Sequence, residues 1–166
     1  AGVLISKRQC LVLTTATAVN GASRIGVTFP LRDAANRWIS EVDAYVDRVG
    51  LHRNGAWQVG TVIARDLRRD LALILLETIP KWAVAVPIAK EDSKIGSEVH
   101  AIAHPVGVEF AWVYARGVVR QRGAIALGTR PGELRTLATV LQLPAQPKAS
   151  GGPVLNDAGE LVGVLA

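Results

Sequence analysis

Ser150 lies in the run Pro147-Lys148-Ala149-Ser150-Gly151-Gly152-Pro153, followed by Val154-Leu155-Asn156. A serine ahead of two glycines and a proline, between apolar strand-like runs, sits on a tight turn. Its hydroxyl is held out of the core, with backbone N–H groups exposed around it. A serine nucleophile beside an oxyanion hole needs that arrangement, and a plain Gly-Pro turn between strands uses the same residues. To attack, the hydroxyl needs a base, usually histidine, and a carboxylate that orients the base. The histidines are His52, His100 and His104. His52 follows an amphipathic stretch, His100 lies in a strand and His104 precedes Pro105, so each reads as a surface or packing residue. No histidine–carboxylate spacing suggests a metal, and no cofactor is implied. The one cysteine, Cys10, can form no internal disulfide and reads as a half-buried thiol at a strand edge.

The elements that must position Ser150 are mostly strands. Val3–Ser6 and Leu11–Thr14 are short runs joined by the polar turn Lys7-Arg8-Gln9. Arg24–Phe29 alternates, with Ile25, Val27 and Phe29 on one face, and stops at Pro30. Ile39, Val42, Val46 and Val49 recur at helical spacing ahead of Gly50 and predict an amphipathic helix packed on the strands, with Trp38 and Tyr45 helping to dock it. Ala56–Asp66 is a long alternating strand with Trp57, Val59, Thr61 and Ile63 on one side. Leu71–Leu76 is apolar on both faces and predicts a central strand. Glu98–His104, Phe110–Arg120, Arg135–Leu143, Gly152–Asn156 and Leu161–Ala166 follow as strands, with a loop over 121–133.

Composition sets the bounds. The chain has 166 residues, 49% of them hydrophobic, and a mean hydropathy of +0.26, which fits a core-rich globular domain. No apolar run reaches the length of a membrane span. The chain starts inside a strand with no signal peptide, as an excised domain or mature fragment would. Net charge is +5, but the basic residues are scattered and the Arg65–Arg69 cluster is interrupted by Asp66 and followed by Asp70. That pattern speaks for a solvated loop rather than a nucleic-acid surface.

Several motifs, in order, resemble trypsin-fold proteases of the HtrA-like (Deg-like) branch. Gly2-Val3-Leu4-Ile5-Ser6 is similar to that family's opening strand. Arg65-Asp66-Leu67-Arg68-Arg69-Asp70-Leu71-Ala72-Leu73 is similar to its R-D-P-x-x-D-L-A-L stretch, and Val99-His100-Ala101-Ile102-Ala103-His104-Pro105 to V-x-A-I-G-N-P. Gly159-Glu160-Leu161-Val162-Gly163-Val164 is similar to the strand after the family's nucleophile, whose motif Ser150-Gly151-Gly152-Pro153 matches. The resemblance implies an all-β fold of two antiparallel β-barrels of the trypsin/chymotrypsin type. The first would span 1–80, the connection 81–97 and the second 98–166, with the second barrel's last, cleft-lining strand missing. It implies Ser150 as nucleophile, Asp70 as the orienting carboxylate, a helical turn over Thr14–Val19, and an exported or periplasmic setting.

Against this pattern stand three departures. The family's T-N-A-H-V-V histidine motif matches Thr14-Thr15-Ala16-Thr17-Ala18-Val19, so Thr17 occupies the histidine position. A threonine hydroxyl cannot act as a base near neutral pH. The oxyanion-hole glycine two residues before the serine is replaced by Lys148, whose peptide would share the hole with the N–H of Ser150. A β-carbon there can turn the N–H away, and a lysine there points to solvent rather than pairing with the serine. The third departure is the missing strand. The sequence therefore favours an inactive serine-protease homologue that binds a protein or peptide. Alternatives are an endopeptidase with an unusual base or one completed by another chain, and a basic nucleic-acid-binding barrel. Asp70, without an imidazole, is expected to bond Thr17 or nearby backbone N–H groups. The edge after Leu161–Ala166 is expected to be covered by a neighbouring chain, a downstream segment or an early strand.

Overall fold

The structure, a computed structural model, describes residues 1–104, 108–126, 135–144 and 149–166. Its strands are β1 (Val3–Ser6), β2 (Leu11–Thr14), β3 (Arg24–Thr28), β4 (Trp57–Asp66), β5 (Leu71–Leu76), β6 (Glu98–Ala103), β7 (Val113–Ala126), β8 (Arg135–Gln142), β9 (Pro153–Leu155) and β10 (Leu161–Val164). They form two five-stranded sheets, ordered β1-β2-β5-β4-β3 and β10-β9-β6-β7-β8. Every ladder between them is antiparallel. The helices are short, α1 (Ala16–Val19) and α2 (Arg48–Arg53), with a 3₁₀ turn at Val42–Tyr45. None is long and apolar enough to cross a membrane.

β5 lies between β2 and β4, as a run apolar on both faces requires. Its inward residues Ala72, Ile74 and Leu76 are buried with Leu4, Val12, Val19 and Phe29. Ile25 and Val27 of β3 pack against that cluster, on the face the alternation predicts. On β4 the buried side is Gln58 and Gly60, while Trp57 and Val59 are half-buried and Thr61 and Ile63 exposed. Gln58 is tolerable inside because its amide donates to the Gly55 carbonyl and accepts from Thr78. In the second sheet Val99, Val119 and Val154 form the core, and Ala101 and Ala103 share the buried face of β6. The two edges of the first sheet, β1 and β3, flank a cavity of about 490 Å³ lined by Val3, Leu4, Ile25, Val27 and Ile74, with His104 and Trp112 at its border.

Three sequence expectations change. The predicted helix through Ile39–Val49 is instead the 3₁₀ turn followed by α2, capped by Asp47, whose carboxylate accepts from the Val49 and Gly50 N–H groups. The break resets the helical phase. Val42, Val46 and Val49 are exposed, Gly50 lies inside the helix, and Leu51 is the residue that docks. Tyr45 does anchor this segment between β3 and β4: its hydroxyl donates to the Ile39 carbonyl and accepts from Leu31 N–H and Trp112 Nε1–H. Trp38 is half exposed and stacks with the Arg32 guanidinium at 3.9 Å. Second, the strand expected to stop at Arg120 runs to Ala126, because its Gly123 pairs with Ala138 in a continuing ladder; 127–133 of the expected loop lies outside the described residues. Third, the β10 edge is met at Leu161 by the connection between the sheets. Leu161 N–H donates to the Pro87 carbonyl, and Ala89 N–H donates to the Leu161 carbonyl.

Candidate functional site

The first turn of α1 brings the candidate residues together. The Thr14–Ala72 register of β2 and β5 sets the start of α1 beside Asp70. Asp70 ends the turn between β4 and β5 at φ 53, a left-handed conformation that Asp tolerates better than most residues. That turn is held by the Asp66 carboxylate, which accepts from the Arg68 and Arg69 N–H groups and pairs with the Arg69 guanidinium at 2.7 Å. The Arg69 hydrogen bond, the main cause, lowers the Asp66 pKa.

Asp70 is half-buried and bonded to α1 through one carboxylate oxygen and its carbonyl. One carboxylate oxygen accepts from Thr17 N–H at 2.8 Å and from the Thr17 hydroxyl at 2.9 Å, and the Asp70 carbonyl accepts from Ala16 N–H at 3.2 Å. Thr17 itself is exposed.

Ser150 does not bond Thr17. Its hydroxyl lies 2.7 Å from the hydroxyl of Thr15, which has no solvent exposure. Thr15 is the N-cap of α1, accepting from Ala18 N–H at 3.2 Å. Sequence reading passed over Thr15, although a threonine just before a short helical run is a capping signal. Thr15→Ala is expected to cost about 1–2 kcal/mol in urea unfolding through loss of the cap. Thr15→Ser should recover most of this; a neutral Thr15→Ala would show that the cap and the serine bond carry no stability.

The turn after Ser150 is fixed by close backbone approaches. Gly151 adopts φ 83, and a β-carbon there would lie 2.1 Å from the Ala1 carbonyl oxygen and 2.5 Å from Thr14 Oγ1. A β-carbon on Gly152 would lie 2.5 Å from the Ile102 carbonyl oxygen. Gly151 N–H donates to the Leu165 carbonyl and Leu165 N–H to the Gly152 carbonyl, which ties the turn to the chain after β10. Lys148, at the expected oxyanion position, lies outside the described residues, as does Pro105.

The histidines sit elsewhere. His52 packs edge-on against Trp57 at 5.8 Å. His104 packs against Trp112 at 4.2 Å, and burial, followed by the nearby N-terminal charge, lowers its pKa. His100 bonds Tyr114 and Asp157. Among the described residues no imidazole bonds Ser150 or Asp70, and no group of three His, Cys, Asp or Glu side chains could hold a metal. The cluster holds a serine hydroxyl, two threonine hydroxyls and a carboxylate, the serine bonded to Thr15 and the carboxylate to Thr17.

The family model for a trypsin-like peptidase domain matches residues 1–164. The putative serine protease HhoA of Synechocystis sp. (strain ATCC 27184 / PCC 6803 / Kazusa) is 24% identical over 155 residues, covering 93% of this chain and 33% of that protein. The serine protease Do-like HtrA of Bacillus subtilis (strain 168) is 29% identical over 114 residues, covering 67% of this chain and 25% of that protein. The chain thus spans a third or less of the length of these curated relatives. The active-form crystal structure of the Rv3671c protease from M. tuberculosis superposes with a TM-score of 0.69 at 20% identity, covering 98% of this chain and 60% of that one. At that identity the superposition shows a shared fold.

Proposed function

The chain belongs to the trypsin-like peptidase domain family and is homologous to HtrA-type serine proteases, and from that premise we propose that it is a catalytically inactive member that serves as a protein- or peptide-binding module. The observation that carries this reading is the occupancy of the triad positions. The Asp70 carboxylate is taken by the Thr17 N–H and hydroxyl, and the Ser150 hydroxyl by Thr15. Neither threonine can accept the serine proton at neutral pH. What remains is a two-sheet scaffold with hydrogen-bonded hydroxyls where the sheets meet.

The proposed binding mode is addition of an extended segment along the outer edge of β10. The connection engages that edge at Leu161. A peptide strand would extend main-chain pairing along the rest of that edge.

Fluorophosphonate labelling followed by mass spectrometry, with casein cleavage alongside, tests the reading. The native domain is expected to show no adduct on Ser150 and no cleavage. An adduct on the native domain that is lost in Ser150→Ala would overturn it and favour an endopeptidase with an unusual base.

A further inference from the structure

The solvent face of the second sheet carries a second chain of hydrogen-bonded titratable groups, separate from Ser150. β6 buries Val99, Ala101 and Ala103 and turns Glu98, His100 and Ile102 to the other face. In register, His100 lies between Arg116 of β7 and Leu155 of β9. The turn after β9 brings Asp157 Oδ1 to 2.8 Å from His100 Nε2. From β7, Tyr114 Oη lies 2.8 Å from His100 Nδ1, with the two rings stacked 5.9 Å apart at 19°.

The order of these groups has a chemical consequence. An ionised carboxylate only accepts, so Nε2 carries the hydrogen that Asp157 receives. In the neutral imidazole this leaves Nδ1 bare and facing the Tyr114 hydroxyl, which donates to it. Carboxylate, imidazole and hydroxyl then stand in the sequence that activates an oxygen nucleophile, with a phenol in the place of an alcohol. Tyr114 is 57% exposed, so its side chain stands on the surface of the domain. The Arg116 guanidinium on the same face is paired with Glu98 of the adjoining strand, which leaves the Asp157 carboxylate to His100.

We propose that Tyr114 is a nucleophile of this domain, an acyl acceptor toward activated esters, with His100 as its base and Asp157 as the group that orients His100. Tyr114 Oη attacks the ester carbonyl carbon while its proton passes to His100 Nδ1. The bond from that carbon to the leaving oxygen breaks, and the leaving oxygen takes the proton from the imidazolium. The products are an O-acyl Tyr114 and the free alcohol or phenol. This proposal does not rest on the reading of Ser150.

The experiment uses p-nitrophenyl acetate on the Ser150→Ala domain, with acetylated peptides mapped by mass spectrometry over time. The chain has two tyrosines, and Tyr45 is an internal control because its hydroxyl is engaged by Ile39, Leu31 and Trp112. Tyr114 is expected to acetylate faster than Tyr45. His100→Gln should slow acetylation of Tyr114 at least about tenfold, the low side of the usual effect of a positioned base, while leaving Tyr45 unchanged. Asp157→Asn, a change in an exposed turn, should slow it as well and carries the test if His100→Gln does not fold. No acetylation of Tyr114, or a rate on Tyr114 that neither variant changes, would overturn the proposal.

Discussion

Thr17→His is expected to leave peptide hydrolysis undetectable, although it rebuilds the residue set of a serine-protease triad. Loss of the base from such a triad costs on the order of a millionfold in turnover, because its members act as a unit. Restoring the residue type does not restore the unit. In this structure Ser150 Oγ is bonded to the buried Thr15, so an imidazole at position 17 must first draw it away. Asp70 would keep the N–H of residue 17 as a partner and must also turn toward the new ring. If the family resemblance carries over, the oxyanion hole would also need the peptide of Lys148, where the family has glycine, and one lost donor costs about a hundredfold to a thousandfold. Fluorophosphonate labelling and casein cleavage of Thr17→His, and of Thr17→His with Lys148→Gly, measure each step. Strong cleavage by Thr17→His alone would mean that the serine is free to move and the hole intact, leaving the histidine as the single defect.

Ile74→Ala is expected to be the most destabilising of the simple core truncations, at about 2–5 kcal/mol. Ile74 is 2% exposed at the centre of β5, paired with Val12 on one side and Val62 on the other. Its side chain also fills the space above Gly60, where a β-carbon would lie only 2.4 Å from Ile74 Cγ2. Because Ile74 already borders the cavity between β1 and β3, truncation enlarges an existing void that its neighbours have not closed. Guanidinium unfolding of the variant reads the loss directly, and Ile74→Val should lose only about 0.5–1.5 kcal/mol. A loss below about 1 kcal/mol for Ile74→Ala would contradict the central place of β5 in this core.

The sheets were legible in the sequence because their signals are local. Leu71–Leu76 announces a central strand by being apolar throughout, and Arg24–Phe29 announces its inward face by alternation. Ser150 was legible for the same reason, since two glycines mark a turn whose backbone must pass close to Ala1 and Ile102. The segment between β3 and β4 misled because valines at 42, 46 and 49 keep helical spacing while Asp47, as a cap, breaks the helix that would use it. The partner of Ser150 was not legible at all. Thr15 and Thr17 are alike in type and only two residues apart, and the turn of α1 alone decides that one faces the serine and the other the carboxylate.

The hydrogen bond between Thr15 and Ser150 spans 135 residues of sequence. Closing a loop of that length costs an unfolded chain on the order of 4 kcal/mol. Most strand pairs within each sheet join neighbours in sequence and form at far smaller cost. The serine is therefore expected to be set in place late on the folding route, after the sheets that carry it, with a low φ-value for Ser150→Ala as the check. The same order holds in reverse: a fluctuation that parts the two sheets takes Ser150 away from Thr15 while the ladders on either side remain whole. The contacts that Ser150 makes with Thr15 and with the Ala1 amine thus depend on how firmly the halves stay docked, a quantity that the helical and strand content of the domain does not register.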